Sequence, residues 1–282
     1  MSVAVRRLPV RRGEIDRGAI FVYAAVAVLV LVVGGILVSV VLDAFATSWF
    51  GGWLPDGFTD RWFRAAITDF DLPQILVATA FITLAVAAIG LLVGVPAAYV
   101  LARRRFRVKG VVQVLLLLPL LLPPITYGIP LATMLYELRL AGTAAGVIVA
   151  NLVPALPLVV LLLTPFFEQI DPNLERAARV LGASPLRVFT RVLVPLAAPG
   201  VLAAALIVIV RALALFELTF LTSGADSTTL VVALYYAAFA PGIRPSQQID
   251  AMAVVCMATS LVLLLAALRF VNPTNMVVRV RR

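Results

Sequence analysis

Apolar residues in this chain fall in long runs rather than in strict alternation. Six stretches, roughly Ala19 to Leu42, Gln74 to Ala102, Val111 to Tyr136, Thr143 to Phe166, Ala197 to Thr222 and Ala251 to Val271, are each long and apolar. A helix needs about 20 such residues to cross the hydrocarbon core of a bilayer, so each run reads as a spanning helix. Between the fourth and fifth runs the pattern changes. From Asp171 to Pro199 the chain reads DPNLERAARVLGASPLRVFTRVLVPLAAP, amphipathic and punctuated as two short helices. Asp171 suits an N-cap and Pro172 a first turn. Leu174, Ala177, Ala178 and Leu181 recur at helical spacing, which leaves Glu175, Arg176 and Arg179 pointing elsewhere. Gly182 stands where a left-handed helix end is expected. Ser184 and Pro185 restart a helix with Leu186, Phe189 and Leu193 as its stripe, and Pro195 and Pro199 bound its far end.

Composition turns the six runs into a fold class. Over 282 residues, 63% are hydrophobic, only 13% are charged, and the mean hydropathy is +1.09, values outside the range of soluble globular domains. The expectation is an all-α membrane protein with six transmembrane helices and a two-helix hairpin between helices four and five. A net charge of +9 would suggest nucleic acid in a soluble chain. Here 18 of the 23 basic residues lie before run one, between runs two and three, between four and five, or after run six. Basic residues gather on the cytoplasmic side, so both termini and the hairpin are expected there, and nucleic acid is not needed. The expected layout is a cytoplasmic segment 1–18, one transmembrane domain 19–271 with the hairpin loop at 168–199, and a cytoplasmic tail 272–282.

Several chemistries are excluded. No histidine occurs, and the single cysteine, Cys256, lies in an apolar run, so there is no His-based triad, zinc spacing or disulfide framework. The only lysine is Lys109, preceded by Val108, so a phosphate-binding G-x-x-x-x-G-K-[ST] loop is impossible. The chain is not expected to be an enzyme or to bind a cofactor or metal.

The hairpin pattern Glu175, Ala177, Ala178, Gly182, Leu193 and Pro195 closely resembles the "EAA" coupling loop of permease subunits from type I, binding-protein-dependent ABC importers, with Arg176 in place of the first alanine. The run-two ending Ala98-Tyr99-Val100-Leu101-Ala102-Arg103 is similar to the A-Y-x-L-A-R ending of that family. The other reading of the hairpin is a helix lying on the lipid interface. The resemblance implies an alternating-access importer in a bacterial or archaeal inner membrane. Two ABC ATPase subunits would carry ATP and Mg. A second permease, identical or related, would complete the path, and an extracytoplasmic binding protein would deliver the solute. Contact with the ATPase would fall on Glu175, Arg176, Ala177, Ala178, Arg179, Gly182, Ala183, Ser184, Leu186 and Phe189.

Other features point to a path. Run three carries Pro119, Pro123, Pro124 and Pro130, and run four carries Asn151, Pro154 and Pro157. Broken backbone at membrane depth needs protein or a water-filled cavity around it; simple kinks fitting helices together are the other reading. Arg211 and Glu217 in run five are charges at depth that face a cavity or each find a partner; on one straight helix they would lie about 120° apart. Tyr127, Asn151, Arg211 and Glu217 are therefore the candidate path residues, with an interhelical ion pair as the alternative for the charges. Asp43 to Pro73, rich in Trp and Asp, reads as an interfacial belt or a receiver for the binding protein. Leu230 to Phe239 fits a short helix or a strand. Leu181-Gly182-Ala183-Ser184 looks closer to the polyamine, iron and phosphonate branches than to the sugar branch, and a polyamine-like solute is the expectation, with an ion-gradient-driven secondary transporter or channel as the alternative function.

Overall fold

The computed structural model describes residues 17–50, 52–239 and 244–270. The N-terminal arginines Arg6, Arg7, Arg11 and Arg12 and the C-terminal Arg279, Arg281 and Arg282 lie outside the described residues. Helix dominates, and no strand occurs among the described residues. In chain order the helices are α1 (Arg17–Phe45), α2 (Arg61–Asp69), α3 (Leu72–Arg103), α4 (Lys109–Leu121), α5 (Pro124–Glu137), α6 (Ala144–Gln169), α7 (Pro172–Val180), α8 (Pro185–Val188), α9 (Val194–Ala214), α10 (Phe216–Thr222), α11 (Leu230–Phe239) and α12 (Ser246–Phe270).

The core is a packed trio of α3, α6 and α9. Val86, Val159, Leu163, Phe167, Ala204 and Val208 are buried there. Gly94 makes the closest approach possible, because a Cβ at this position would stand 2.5 Å from the Val159 Cγ1. Gly200 plays the same part against the Phe166 ring, 2.6 Å from where its Cβ would be. α1 packs outside this trio along α12, and nearly all its apolar side chains are exposed, as expected of a helix whose solvent is lipid.

Five helical stretches are long and apolar enough to cross a membrane, and a sixth exists as the bent pair α4 and α5. That pair corrects the expectation of one proline-rich helix from Val111 to Tyr136, since the two halves meet at 99°. The cause is local. Leu122 and Pro123 each precede a proline, which disfavours helical backbone, and both are extended, with ψ 142° and 131°.

The hairpin is also corrected at its far end. Pro195 and Pro199 do not bound its second helix: α8, a π-helical turn at Phe189–Leu193 and α9 form one continuous helix from Pro185 to Ala214. Within the π turn the Val194 N–H reaches five residues back to the Phe189 carbonyl. Pro195, placed at the start of the α-helical part, lacks only a donor that such a junction can spare. Conversely, run five is not one helix. It breaks at Leu215, with φ −77° and ψ 96°, so the 120° relation between Arg211 and Glu217 does not apply.

The connections after α1 and before α12 carry more structure than a loop reading allows. Within Asp43 to Pro73, α2 is held by the Trp62 indole N–H donating to the Ala46 carbonyl at 2.7 Å and by a bridge between Ala46 and Phe58. Trp53 is fully exposed. Leu230–Phe239 is helical, which settles the strand alternative. The first residues of α12 tie these connections together: Gln247 donates to Asp43 at 3.1 Å and Gln248 to Asp69 at 2.8 Å.

Candidate functional site

The hairpin is built by its caps. The Asp171 carboxylate accepts from the Asn173 N–H at 2.9 Å with Pro172 next in line, and the Ser184 hydroxyl accepts from the Arg187 N–H at 3.4 Å ahead of Pro185. Between them Gly182 has φ +83°. Its N–H donates to the Arg179 carbonyl at 2.9 Å and the Ala183 N–H to the Ala178 carbonyl at 3.0 Å, the two bonds of a Schellman ending.

The faces of this hairpin are the reverse of those expected for α7. Glu175 is the residue turned inward, 7% exposed, while Leu174, Val180, Leu181 and Leu186 point outward, Val180 and Leu181 almost fully. Glu175 can be buried because its charge is matched. The Arg103 Nε donates to Glu175 Oε1 at 2.6 Å, the Tyr99 hydroxyl donates to Oε2 at 3.0 Å, and a second Arg103 nitrogen donates to the Ile170 carbonyl at 2.6 Å. Arg179 approaches the same carboxylate at 3.8 Å. The Tyr99 ring packs on Phe189 and Phe167, at 5.3 and 5.8 Å. So Glu175 latches the hairpin to the end of α3 and is not available to orient a partner. Arg176, Ala177, Arg179, Gly182, Ser184 and Leu186 are exposed, whereas Ala178, Ala183 and Phe189 are half-buried against the bundle. The role of Tyr99 and Arg103 went unassigned in the sequence, although the Ala98 to Arg103 motif contains both.

Deeper in the bundle, two of the four path candidates, Asn151 and Arg211, line one cavity. Asn151 on α6 is 2% exposed. Its amide nitrogen donates to the Val147 carbonyl at 2.9 Å and to the Thr219 hydroxyl at 3.2 Å, and its Oδ1 is buried without a partner. The side chain shares with Arg211, Val86, Pro154, Val208 and Leu215 a cavity of about 20 Å³, room for about one water. Arg211 and Glu217 make no ion pair within 4.0 Å among the described residues. The Tyr127 hydroxyl, donating to the Pro119 carbonyl at 3.3 Å, lies within electrostatic reach of both charges.

The break at Leu215 gives these charges complementary surroundings. Arg211 occupies the last turn of α9 and Glu217 the first turn of α10, where the helix dipoles favour a cation and an anion respectively. That effect is worth about 0.3–1 kcal/mol, less than the roughly 2.5–3.5 kcal/mol that an arginine costs at the centre of a membrane helix. Arg211 stands three residues from the end of α9 and is exposed on the surface of the chain, so water or a partner outside the described residues can accept its hydrogen bonds. Thr219, which helps orient Asn151, was not among the candidates. Nothing in the sequence signalled it, because it meets Asn151 only through the fold.

Residues 90–275 match the family model described as "Binding-protein-dependent transport system inner membrane component". The chain belongs to this family. Among curated relatives, it is 31% identical over 160 residues to the sulfoquinovosyl glycerol transport system permease protein SmoH of Agrobacterium fabrum, covering 57% of this chain and 56% of that one. It is 38% identical over 124 residues to the trehalose transport system permease protein SugB of Mycobacterium tuberculosis (44% and 45% covered), and 34% identical over 161 residues to the molybdenum transport system permease protein ModB of Haemophilus influenzae (51% and 70% covered). The chain thus spans about half the length of the first two. A chain of a bacterial ABC transporter involved in import of the acidic polysaccharide alginate shares the fold, with TM-score 0.74 at 18% identity over 94% of this chain and 99% of that one. The solutes named by these relatives are sugars and molybdenum, not polyamines, and the polyamine expectation is corrected accordingly.

Proposed function

We propose that this chain is the membrane-spanning permease subunit of an ATP-driven importer, forming half of a path for a small anionic solute. Membership of a binding-protein-dependent transport family supports the first part and sets aside the ion-gradient-driven alternative. ATP is hydrolysed in separate ABC ATPase subunits that meet the outward face of the hairpin, with Val180, Leu181 and Leu186 filling apolar hollows and Arg176 and Arg179 setting orientation. A second permease completes the path, an external binding protein delivers the solute, and the hairpin and both termini face the cytoplasm.

The observation that carries the solute class is Arg211, which has no ion pair among the described residues, at the break in run five and beside the buried Asn151. Glu217, likewise without an ion pair among the described residues, is the charge that would disfavour an oxyanion, whereas an oxyanion can take two N–H bonds from the guanidinium. Molybdate and the sulfonated sugar named by SmoH share that chemistry.

The test is to purify the complete complex from its native membrane, reconstitute it and measure ATP-dependent uptake of molybdate, sulfoquinovosyl glycerol, trehalose and spermidine. Uptake of either anion, reduced at least about tenfold by Arg211→Met while the complex still assembles, is the expected result; tenfold corresponds to one charge-assisted hydrogen bond. Uptake of trehalose or spermidine alone would overturn the anion assignment, and purification without any P-loop ATPase would overturn the importer reading.

A further inference from the structure

The connection between α3 and α4 reads ARRRFRVK from Ala102 to Lys109, five basic residues around one aromatic. The structure divides their duties. Arg103 is turned inward to Glu175 and Ile170, and Lys109 stands 3.9 Å from Glu168. Arg104, Arg105 and Arg107 are exposed, and none makes an ion pair or side-chain hydrogen bond among the described residues. Between them, Phe106 forms part of the wall of a groove of about 400 Å³.

The groove adjoins this basic connection through Phe106. Pro96 and Val100 of α3, Val112 and Leu116 of α4, and Val160 of α6 line it with Phe106, and no charged residue does. Pro96 is seven residues from Arg103, so the groove descends about 10 Å along α3. Its volume lies in the roughly 300–1,000 Å³ range of ligand sites. Three exposed arginines without an ion pair among the described residues, on the connection whose Phe106 walls an apolar slot, describe one kind of molecule, negative at its head and hydrocarbon beyond.

We propose that this groove is a binding site for an anionic phospholipid, with one acyl chain against Pro96, Val100 and Phe106 and the phosphate held by Arg104, Arg105 and Arg107. Basic clusters beside membrane helices attract anionic headgroups, and the planar guanidinium matches phosphate oxygens in pairs. A zwitterionic lipid has the same chain and lacks the net charge; a soluble phosphate has the charge and no use for the slot. The assignment is independent of which solute is transported.

The experiment is native mass spectrometry of the detergent-purified complex with added phosphatidylglycerol or phosphatidylcholine of equal chain length. One phosphatidylglycerol per chain is expected to remain bound, with phosphatidylcholine bound on the order of a hundredfold more weakly. The triple variant Arg104→Gln/Arg105→Gln/Arg107→Gln loses the same factor. Ala97→Trp, which fills the slot without touching the charges, also displaces the lipid. Where that variant fails to assemble, glycerophosphoglycerol, the headgroup without chains, serves instead and is expected not to compete. Equal retention of both lipids, undiminished binding in the triple variant, or full competition by the bare headgroup overturns the site. So does disulfide capture of a second permease through Val100→Cys in a Cys256→Ser background, which would show a protein helix covering the groove.

Discussion

Removing the Glu175 carboxylate should release the hairpin from the bundle. In Glu175→Ala the Arg103 guanidinium keeps only the Ile170 carbonyl, and the Tyr99 hydroxyl loses its acceptor. Breaking a buried ion pair from one side costs about 3–5 kcal/mol. The Arg103 side chain retains 14% exposure, so water recovers part of that and the lower figure, about 3 kcal/mol, applies. At 1.4 kcal/mol per decade this multiplies local opening by on the order of a hundred. Glu175→Gln keeps one acceptor of the same shape and forfeits the charge; a neutral bond is roughly half as strong as a charge-assisted one, so opening should rise about tenfold. The assay is limited trypsin digestion of the purified chain in mild detergent, following cleavage after Arg176 and Arg179 by mass spectrometry. When closing is fast, cleavage tracks the opening equilibrium. Helix content by circular dichroism should not change. If wild type, Glu175→Gln and Glu175→Ala are cut at these two bonds at the same rate within about twofold, the latch does not hold the hairpin.

Gly182→Val should detach or uncouple the ATPase while the chain still inserts, because φ +83° strains a β-branched residue by roughly 1–3 kcal/mol. Gly182→Asn, which tolerates that backbone, should behave almost as wild type; co-purification of the ATPase distinguishes them, and normal association of the valine variant refutes the argument. Gly94→Val should lower thermal stability in detergent by overpacking worth about 1–3 kcal/mol, since its Cβ would meet Val159 at 2.5 Å. Val159→Ala should recover part of the loss in the double variant, and simple additivity would mean that the two residues do not share the contact.

The membrane runs were legible because length and apolarity suffice to mark a spanning helix, and the hairpin because its punctuation, Asp171-Pro172, Gly182 and Ser184-Pro185, is chemically specific. Prolines announced trouble in run three, and Pro123-Pro124 delivered a bend sharper than a kink. Pro195 misled, since proline ends a helix only when its missing donor is needed, and the π turn ahead of it removed that need. The break at Leu215 had no local sign: RALALFELTF contains neither proline nor glycine, so packing of α10 against α5 and α6 decides it. The burial of Glu175 was invisible for another reason. An acidic residue on an amphipathic helix reads as solvent-facing until its partner is known, and Arg103 lies 72 residues away.

The continuous helix from Pro185 to Ala214 is about 45 Å long at 1.5 Å per residue, and Gly200, pressed against the Phe166 ring, stands at its midpoint. That makes it a seesaw with its fulcrum in the core. Pro185 is fifteen residues to one side, about 22 Å, and Arg211 eleven residues to the other, about 16 Å. A tilt of about 10° would swing the hairpin end by about 4 Å and carry Arg211 about 3 Å in the opposite direction. The five-residue π turn is the one wider coil along the beam, the place where torsion could be absorbed before it reaches the far arm.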